Sequence, residues 1–292
     1  MADPTESKVV VITGSNTGIG KETAVGLAAL GMTTVMACRN QPKAEAAATE
    51  VRQRSGNDDV HVIALDLADL NSVKACADEI LSTWDRLDVL VNNAGGIWSQ
   101  RQETAQGFEQ TFGVNHLGPF VLTALLLDRL KASAPSRIVN LASVGHHFAS
   151  GGMGFADLQS THKYSSMDAY SRSKLANVLF TRGLATRLEG TGVTATCCHP
   201  GAVRSGFGMD GDLKGLFGLG NKIFRPFEIS AAVGAKTSIF LAADPSVEGQ
   251  SGGYYVRRKP GHMSKHAQSD DAVEQLWLAS EHLVADAGFP VA

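Results

Sequence analysis

Short apolar runs of four to seven residues alternate with longer amphipathic stretches along most of this chain, and that alternation restricts the fold more than any other feature. It is the signature of a parallel sheet with helices on both faces. Strands are expected at Val9–Thr13, Thr34–Cys38, His61–Leu65, Val89–Asn92, Arg137–Leu141, Thr194–Cys198 and Gly253–Val256. Helices are expected at Ala44–Arg54, Leu70–Trp84, Asn115–Lys131, over residues 169–188, and at Ile229–Ala242. Right-handed crossovers make this a Rossmann-type, doubly wound α/β sheet of seven parallel strands, with its ligand crevice beyond the strand C-termini. Residues 143–168 and 204–226 break the rhythm, and both follow strands on that side. The second segment carries Gly206, Gly208, Gly211, Gly215, Gly218 and Gly220 among large apolar residues, so it is expected to be a mobile lid.

At 292 residues and 43% hydrophobic, the chain can bury one sizeable core without a second domain. Residues 1–292 are read as one domain, with a flexible tail at 1–7 and a C-terminal extension at 258–292. Lys and Arg total 26 against 29 acidic residues, a net charge of -3 without a basic block, so nucleic acid is not an expected partner and small molecules are. Cys38, Cys76, Cys197 and Cys198 show no C-x-x-C spacing, which fits a reducing cytoplasm. Met1 to Lys8 is short and polar, and the longest apolar run, Pro119–Leu127, is well short of a membrane span.

Gly14, Ser15, Asn16, Thr17, Gly18, Ile19 and Gly20 come directly after the first strand and open a helix. Their glycines permit a tight turn that brings backbone N–H groups to a pyrophosphate at the positive end of the helix. The spacing is Gly-x-x-x-Gly-x-Gly, and an ordinary strand-to-helix turn is the lesser alternative reading of the bare pattern. Arg39 and Asn40 stand at the end of the second strand, where an NAD-binding chain usually has an acid for the ribose 2′-hydroxyl. A guanidinium there suits the 2′-phosphate of NADP, with about 1.5–3 kcal/mol from a charge-assisted contact. Asp66, followed by Leu67, is placed to accept from an adenine amino group or to cap a turn. Asn92, Asn93, Ala94 and Gly95 follow the fourth strand and either approach the cofactor riboses or form a plain turn.

Tyr170 and Lys174 are four apart in an expected helix, so they share one face and can reach one small molecule, though taken alone the spacing is more often that of a solvated surface pair. A phenol with a reference pKa near ~10 needs roughly 4 kcal/mol to fall by three units, and an ammonium about 4 Å away supplies most of it at intermediate dielectric. Ser143 and Asn115 lie upstream in the order that tyrosine-based carbonyl oxidoreductases use.

Together, the Thr13-Gly14-x-x-x-Gly18-Ile19-Gly20 turn, Asn92 to Gly95, Asn115, Ser143, Tyr170-x-x-x-Lys174 and Pro200-Gly201 resemble the single-domain short-chain dehydrogenase/reductases, from about Lys8 to Val256. The resemblance implies Tyr170 as general acid/base and Lys174 as ribose anchor. It also implies Ser143 holding the substrate oxygen and Asn115 supporting a water-linked proton path. It puts Val203 near the nicotinamide carboxamide and Ser205 where Thr is more usual, in the segment after Pro200 and Gly201. Many members dimerise through the helices carrying Asn115 and Tyr170, but long insertions before the tyrosine can cover that face, so monomer and homodimer are both expected outcomes here. Phe148–Phe155 is the expected cover.

Ala37-Cys38-Arg39-Asn40, Phe155-Ala156-Asp157-Leu158, residues 170–180 and His199-Pro200-Gly201 are more narrowly similar to retinol dehydrogenases and WW-domain oxidoreductases. That likeness implies NADP and a lipophilic carbonyl or alcohol substrate. Membrane-bound retinol dehydrogenases carry an N-terminal apolar anchor, for which the polar Met1 to Lys8 is no match. Trp98, Phe148, Met153, Phe155, Phe207, Leu216, Phe217 and Phe224 are candidates for an apolar substrate pocket. Adjacent His146 and His147 have no carboxylate or cysteine set to complete a metal site, so no metal is expected. Two further functions compete with carbonyl chemistry: reduction of a conjugated C=C bond, and non-catalytic NADPH binding.

Overall fold

The computed structural model describes residues 7–201 and 229–291. Strands β1 (Val9–Thr13), β2 (Thr33–Cys38), β3 (Val60–Ala64), β4 (Val89–Asn92), β5 (Ser136–Leu141), β6 (Val193–His199), β7 (Tyr254–Val256) and β8 (Lys259–Pro260) form one sheet in the order β3-β2-β1-β4-β5-β6-β7-β8. The first seven run parallel, as the apolar runs require, and β8 turns back antiparallel on β7. This eighth strand corrects the expected seven. It has only two residues, and its hairpin turn is made by Arg257 and Arg258 at positive φ instead of the Asn-Gly or Asp-Gly that signals such turns in sequence.

Side chains alternate along each strand, so two cores form. Val9, Val11, Val35 and Cys197 face one layer with α3 (Leu70–Thr83), α5 (Gly118–Ala132) and α6 (Ser166–Arg187). Val10, Ile12, Met36 and Cys198 face the other with α1 (Gly18–Ala28), α2 (Gln41–Ser55) and α7 (Ala231–Ala243). The adjacent cysteines 197 and 198 are thus strand core on opposite faces, and all four cysteines are free and buried.

The helix expected from Asn115 starts earlier. Glu109 caps a short α4 (Gln110–Phe112), whose Thr111 and Phe112 N–H groups both donate to its carboxylate at 2.8 Å. A π turn, Gly113–Leu117, then leads into α5. Pro119 accounts for the irregularity: in a regular α-helix its missing N–H would have donated to the Asn115 carbonyl, and its ring would press on it. A final helix, α8 (Asp270–Asp286), lies in the extension and packs its Leu276, Ser280 and Val284 face inward.

Candidate active site

Strand order reverses between β2-β1 and β1-β4, and a cavity of about 820 Å³ opens there at the strand C-termini. Its floor begins at the glycine turn. Gly14 has φ +64°, and a Cβ on it would fall 2.9 Å from the Ala94 Cβ. At Gly20 a Cβ would meet the Asn93 amide nitrogen at 2.4 Å, so only glycine allows α1 to start this close to the β4 loop. Asn93 fastens the two together by donating to the carbonyls of Thr13 (2.8 Å) and Gly14 (3.2 Å). Thr17 precedes α1 without a side-chain cap bond, leaving the helix amides turned toward the cavity that Thr17, Gly18, Ile19 and Gly20 line. Asn16, Asn93, Ala94 and Gly95 line it too. Ser15 does not: it is fully buried and its hydroxyl donates back to the Ile12 carbonyl at 3.0 Å.

Arg39 and Asn40 line the cavity at the end of β2, joined by Lys43, which no sequence motif marks. Asn40 caps α2 by accepting from the Lys43 N–H at 3.0 Å, which draws that lysine, one turn into the helix, alongside Arg39. Asp66 and Leu67 also line the cavity, and Asp66 serves a turn as well, its Oδ1 accepting from the Ala68 N–H at 3.0 Å. Both readings of that carboxylate are therefore compatible. Open helix amides, a glycine cradle and two cations fit a nicotinamide adenine dinucleotide.

At the other end, Ser143, Tyr170 and Lys174 line the same cavity, with Pro200 and Gly201. Val203, Ser205 and the expected lid at 204–226 lie outside the described residues, as do Phe207, Leu216, Phe217 and Phe224. Ser143 is extended at the end of β5, and its Oγ accepts from the Gly145 N–H at 3.0 Å. Burial pushes the Tyr170 phenol up, and the Ser143 hydroxyl, hydrogen-bonded to it, pulls the other way. Lys174 Nζ stands 5.8 Å from the Tyr170 ring centre and donates to the Leu141 carbonyl at 3.0 Å. Burial lowers this ammonium from 10.5 to about 8. In the protein itself the net direction for the phenol is upward, burial outweighing the Ser143 hydrogen bond.

Asn115 sits behind the cavity wall, 1% exposed on the π turn. Its amide pairs with Gly96 in both directions (2.7 and 2.9 Å) and donates to Ser173 Oγ at 2.9 Å, while Ser173 donates to the Tyr170 carbonyl at 2.8 Å. Asn115 thereby joins the β4 loop to the tyrosine helix. A Cβ on Gly95 would lie 3.0 Å from Asn115 Oδ1 and 3.3 Å from Lys174 Nζ, so both side chains close on one point of the backbone.

The apolar residues divide differently from expectation. Trp98 lines the cavity, its ring folded over Gly96 and its carbonyl accepting from the Tyr164 hydroxyl at 2.8 Å. Met153 is core at 3% exposure and Phe155 packs against that core, whereas Phe148 is 65% exposed. The segment they belong to is wound around Arg172, which donates to the Asp157 carbonyl at 3.0 Å and to Ser160 Oγ, with Gly154 pressed against it. His199, marked in sequence only as part of the His199-Pro200-Gly201 motif, is a cavity residue at the end of β6 whose imidazole burial lowers to about 4, and the organising role of Arg172 has no sequence signal of its own. Among the described residues no helix is long and apolar enough to cross a membrane.

Comparison with known proteins agrees with this geometry. The short chain dehydrogenase family model matches residues 8–212. Human retinol dehydrogenase 12 is 48% identical over 277 residues, covering 95% of this chain and 86% of the relative. Human retinol dehydrogenase 14 is 44% identical over 294 residues, with the same coverage of each. Among solved structures, an uncharacterised protein from Mycobacterium paratuberculosis superposes with a TM-score of 0.76 at 34% identity, covering 98% of this chain and 95% of the other. The chain belongs to the short-chain dehydrogenases, as a retinol-dehydrogenase-like member acting on CH–OH and C=O groups.

Proposed function

We propose that this protein is an NADP(H)-dependent oxidoreductase that interconverts a lipophilic aldehyde or ketone and its alcohol, with Tyr170 as the general acid/base. The observation that carries the reading is one continuous cavity with Arg39 and Lys43 at one end and Ser143, Tyr170 and Lys174 at the other. Gly14 to Gly20 would hold the pyrophosphate and Arg39 with Lys43 the 2′-phosphate; when bound, the reduced nicotinamide supplies the hydride.

In the reducing direction Ser143 Oγ donates a hydrogen bond to the carbonyl oxygen and orients it. Tyr170 releases its phenolic proton to that oxygen as the carbon is reduced, leaving an alcohol and a phenolate. Burial keeps the phenol protonated and ready to donate. Lys174 stabilises the phenolate and, with Asn115, returns a proton to it from solvent. Trp98 supplies the apolar wall that favours lipophilic substrates. The names of the retinol dehydrogenase relatives point to alcohols, and neither C=C reduction nor non-catalytic binding is favoured beside them. The four buried thiols remain consistent with a cytoplasmic setting.

A panel of aliphatic and aromatic aldehydes, ketones and retinal tests this, followed by NADPH absorbance with NADH in parallel. Oxidation of NADPH by aldehydes, with alcohol as product, is the expected result. Turnover confined to small polar carbonyls, or a saturated carbonyl product from an enone, would refute it.

A further inference from the structure

His146 is fully buried three residues after Ser143. Its Nδ1 lies 2.6 Å from the Ser143 carbonyl oxygen, and its Nε2 lies 3.2 Å from the Ser264 backbone nitrogen. A carbonyl only accepts and an amide N–H only donates, so the ring is neutral with its proton on Nδ1: it donates to Ser143 and accepts from Ser264. Tyr254 on β7 packs edge-on against it at 4.8 Å. Ser264 belongs to the extension, beyond the stretch matched by the family model. The same segment meets the loop a second time through His266, whose Nε2 lies 3.2 Å from the Ser150 carbonyl oxygen.

We propose that His146 is a positioning residue for Ser143, coupling the C-terminal extension to the reaction. This rests on the reading of Ser143 and Tyr170 as the reacting pair. The turn between them has no slack: a Cβ on Gly145 would lie 3.0 Å from Tyr170 Cε1 and 3.3 Å from Ser143 Oγ. The serine hydroxyl therefore holds its place against the phenol only while the backbone beneath it is fixed; the Ser143 carbonyl accepts from the His146 backbone N–H at 3.1 Å, and the shorter Nδ1–H bond at 2.6 Å ties the same carbonyl to the extension. Sequence distance hides the arrangement, since 118 residues separate His146 from Ser264.

Three substitutions separate positioning from packing, assayed with decanal and NADPH. His146→Phe keeps the ring without nitrogens, His146→Asn keeps a donor near the Nδ1 position, and His146→Gln carries its amide out near Nε2, where its oxygen can accept from Ser264 but no donor is left at the Nδ1 position. The expected order of kcat is wild type, then Asn, then Gln and Phe together, with Phe lowered by ~10–10² and the NADPH Kd unchanged. A packing role predicts the reverse, Phe near wild type and Asn worst, and that order would overturn the proposal. Unchanged NADPH Kd also certifies that each variant is folded. The second test combines His146→Phe with Ser143→Ala: if His146 acts through the serine, its effect on kcat vanishes in the Ser143→Ala background, whereas multiplicative losses would overturn the coupling. Normal turnover by Ser143→Ala alone would instead remove the serine from the reaction, and the inference with it.

Discussion

The glycine turn after β1 and the serine loop after β5 occupy equivalent places, each leaving a strand C-terminus at the same cavity, yet they are held in opposite ways. The turn is fixed by its own residues and by one neighbouring loop, through Gly14 on Ala94 and Asn93 on the Thr13 carbonyl. The serine loop is fixed by groups drawn from far along the chain, among them Ser264 through His146 and His266 at the Ser150 carbonyl. A backbone cradle for phosphate needs tight local geometry, and a contiguous glycine motif clasped by the β4 loop provides it. Aligning a hydroxyl with a phenol requires support from beneath, and the last third of the chain provides that.

If the two ends divide the work this way, changes at one should leave the other intact. Tyr170→Phe gives the largest effect: kcat should fall by ~10²–10⁴ while NADPH Kd stays within about twofold, read by steady-state kinetics and fluorescence titration. Near-normal turnover would take the proton donor away from Tyr170. Arg39→Asp should do the converse, moving the NADPH/NADH ratio of kcat/KM by roughly ten- to a hundredfold or more toward NADH, with kcat on saturating cofactor nearly unchanged. An unmoved ratio would assign the 2′-phosphate to Lys43 or to neither.

Lys174 bridges the two ends and should show a smaller, pH-dependent effect. Burial lowers its ammonium to about 8 in the protein alone, and a bound anionic dinucleotide favours the charged form and so raises that value in the complex. The sign follows: NADPH affinity is greatest below about 8 and weakens as pH rises from about 7 to 9, by about three- to tenfold. Lys174→Met should flatten the profile at the weaker affinity. A wild-type profile flat over that range would show that the lysine charge plays no part in cofactor binding.

Legibility in the sequence follows the same division. The parallel strands, the glycine turn, Arg39, Tyr170 and Lys174 are carried by apolar runs and short contiguous motifs, whose physics is local. The π turn at Asn115 is signalled only by Pro119, which lies inside an apolar run that otherwise reads as unbroken helix. Lys43 depends on Asn40 capping α2, and a lysine in a first helical turn carries no mark of its own. Nothing near Arg172 in sequence announces that a guanidinium organises residues 153–160, because its partners there are mostly backbone carbonyls. The α8 helix does carry a signal that the strand and helix expectations leave out: Val273, Leu276, Trp277, Ser280 and Val284 have helical spacing behind a Ser269 cap followed by two aspartates.

That helix also changes the expectation for assembly. Of Phe148–Phe155, the cover expected for the helices carrying Asn115 and Tyr170, Phe148 is exposed, whereas Met153 and Phe155 pack on the core that α6 shares. The cover is α8. Trp277 packs edge-on to Phe120 on α5 at 5.2 Å and tilted against Phe180 on α6 at 5.9 Å, and the Arg187 guanidinium stacks over it at 4.0 Å. His116 Nε2 meets Ser280 Oγ at 2.8 Å, and since that hydroxyl already donates to the Leu276 carbonyl, the imidazole is the donor. Arg182–Asp270 and Arg187–Glu274 pairs rim the contact, adding little at the surface. With much of the α6 apolar face taken by its own chain, less of it is open to a symmetry mate, and we propose a monomer. Light scattering at micromolar concentration should give a mass near 30.8 kDa. Trp277→Ala should lower Tm by several degrees, since a partly buried aromatic is worth somewhat less than the ~3–5 kcal/mol of a fully buried one, with smaller changes in NADPH Kd than in stability. A dimer that survives dilution, together with a Tm unmoved by Trp277→Ala, would mean that α8 is displaced and the shared face is used between chains after all.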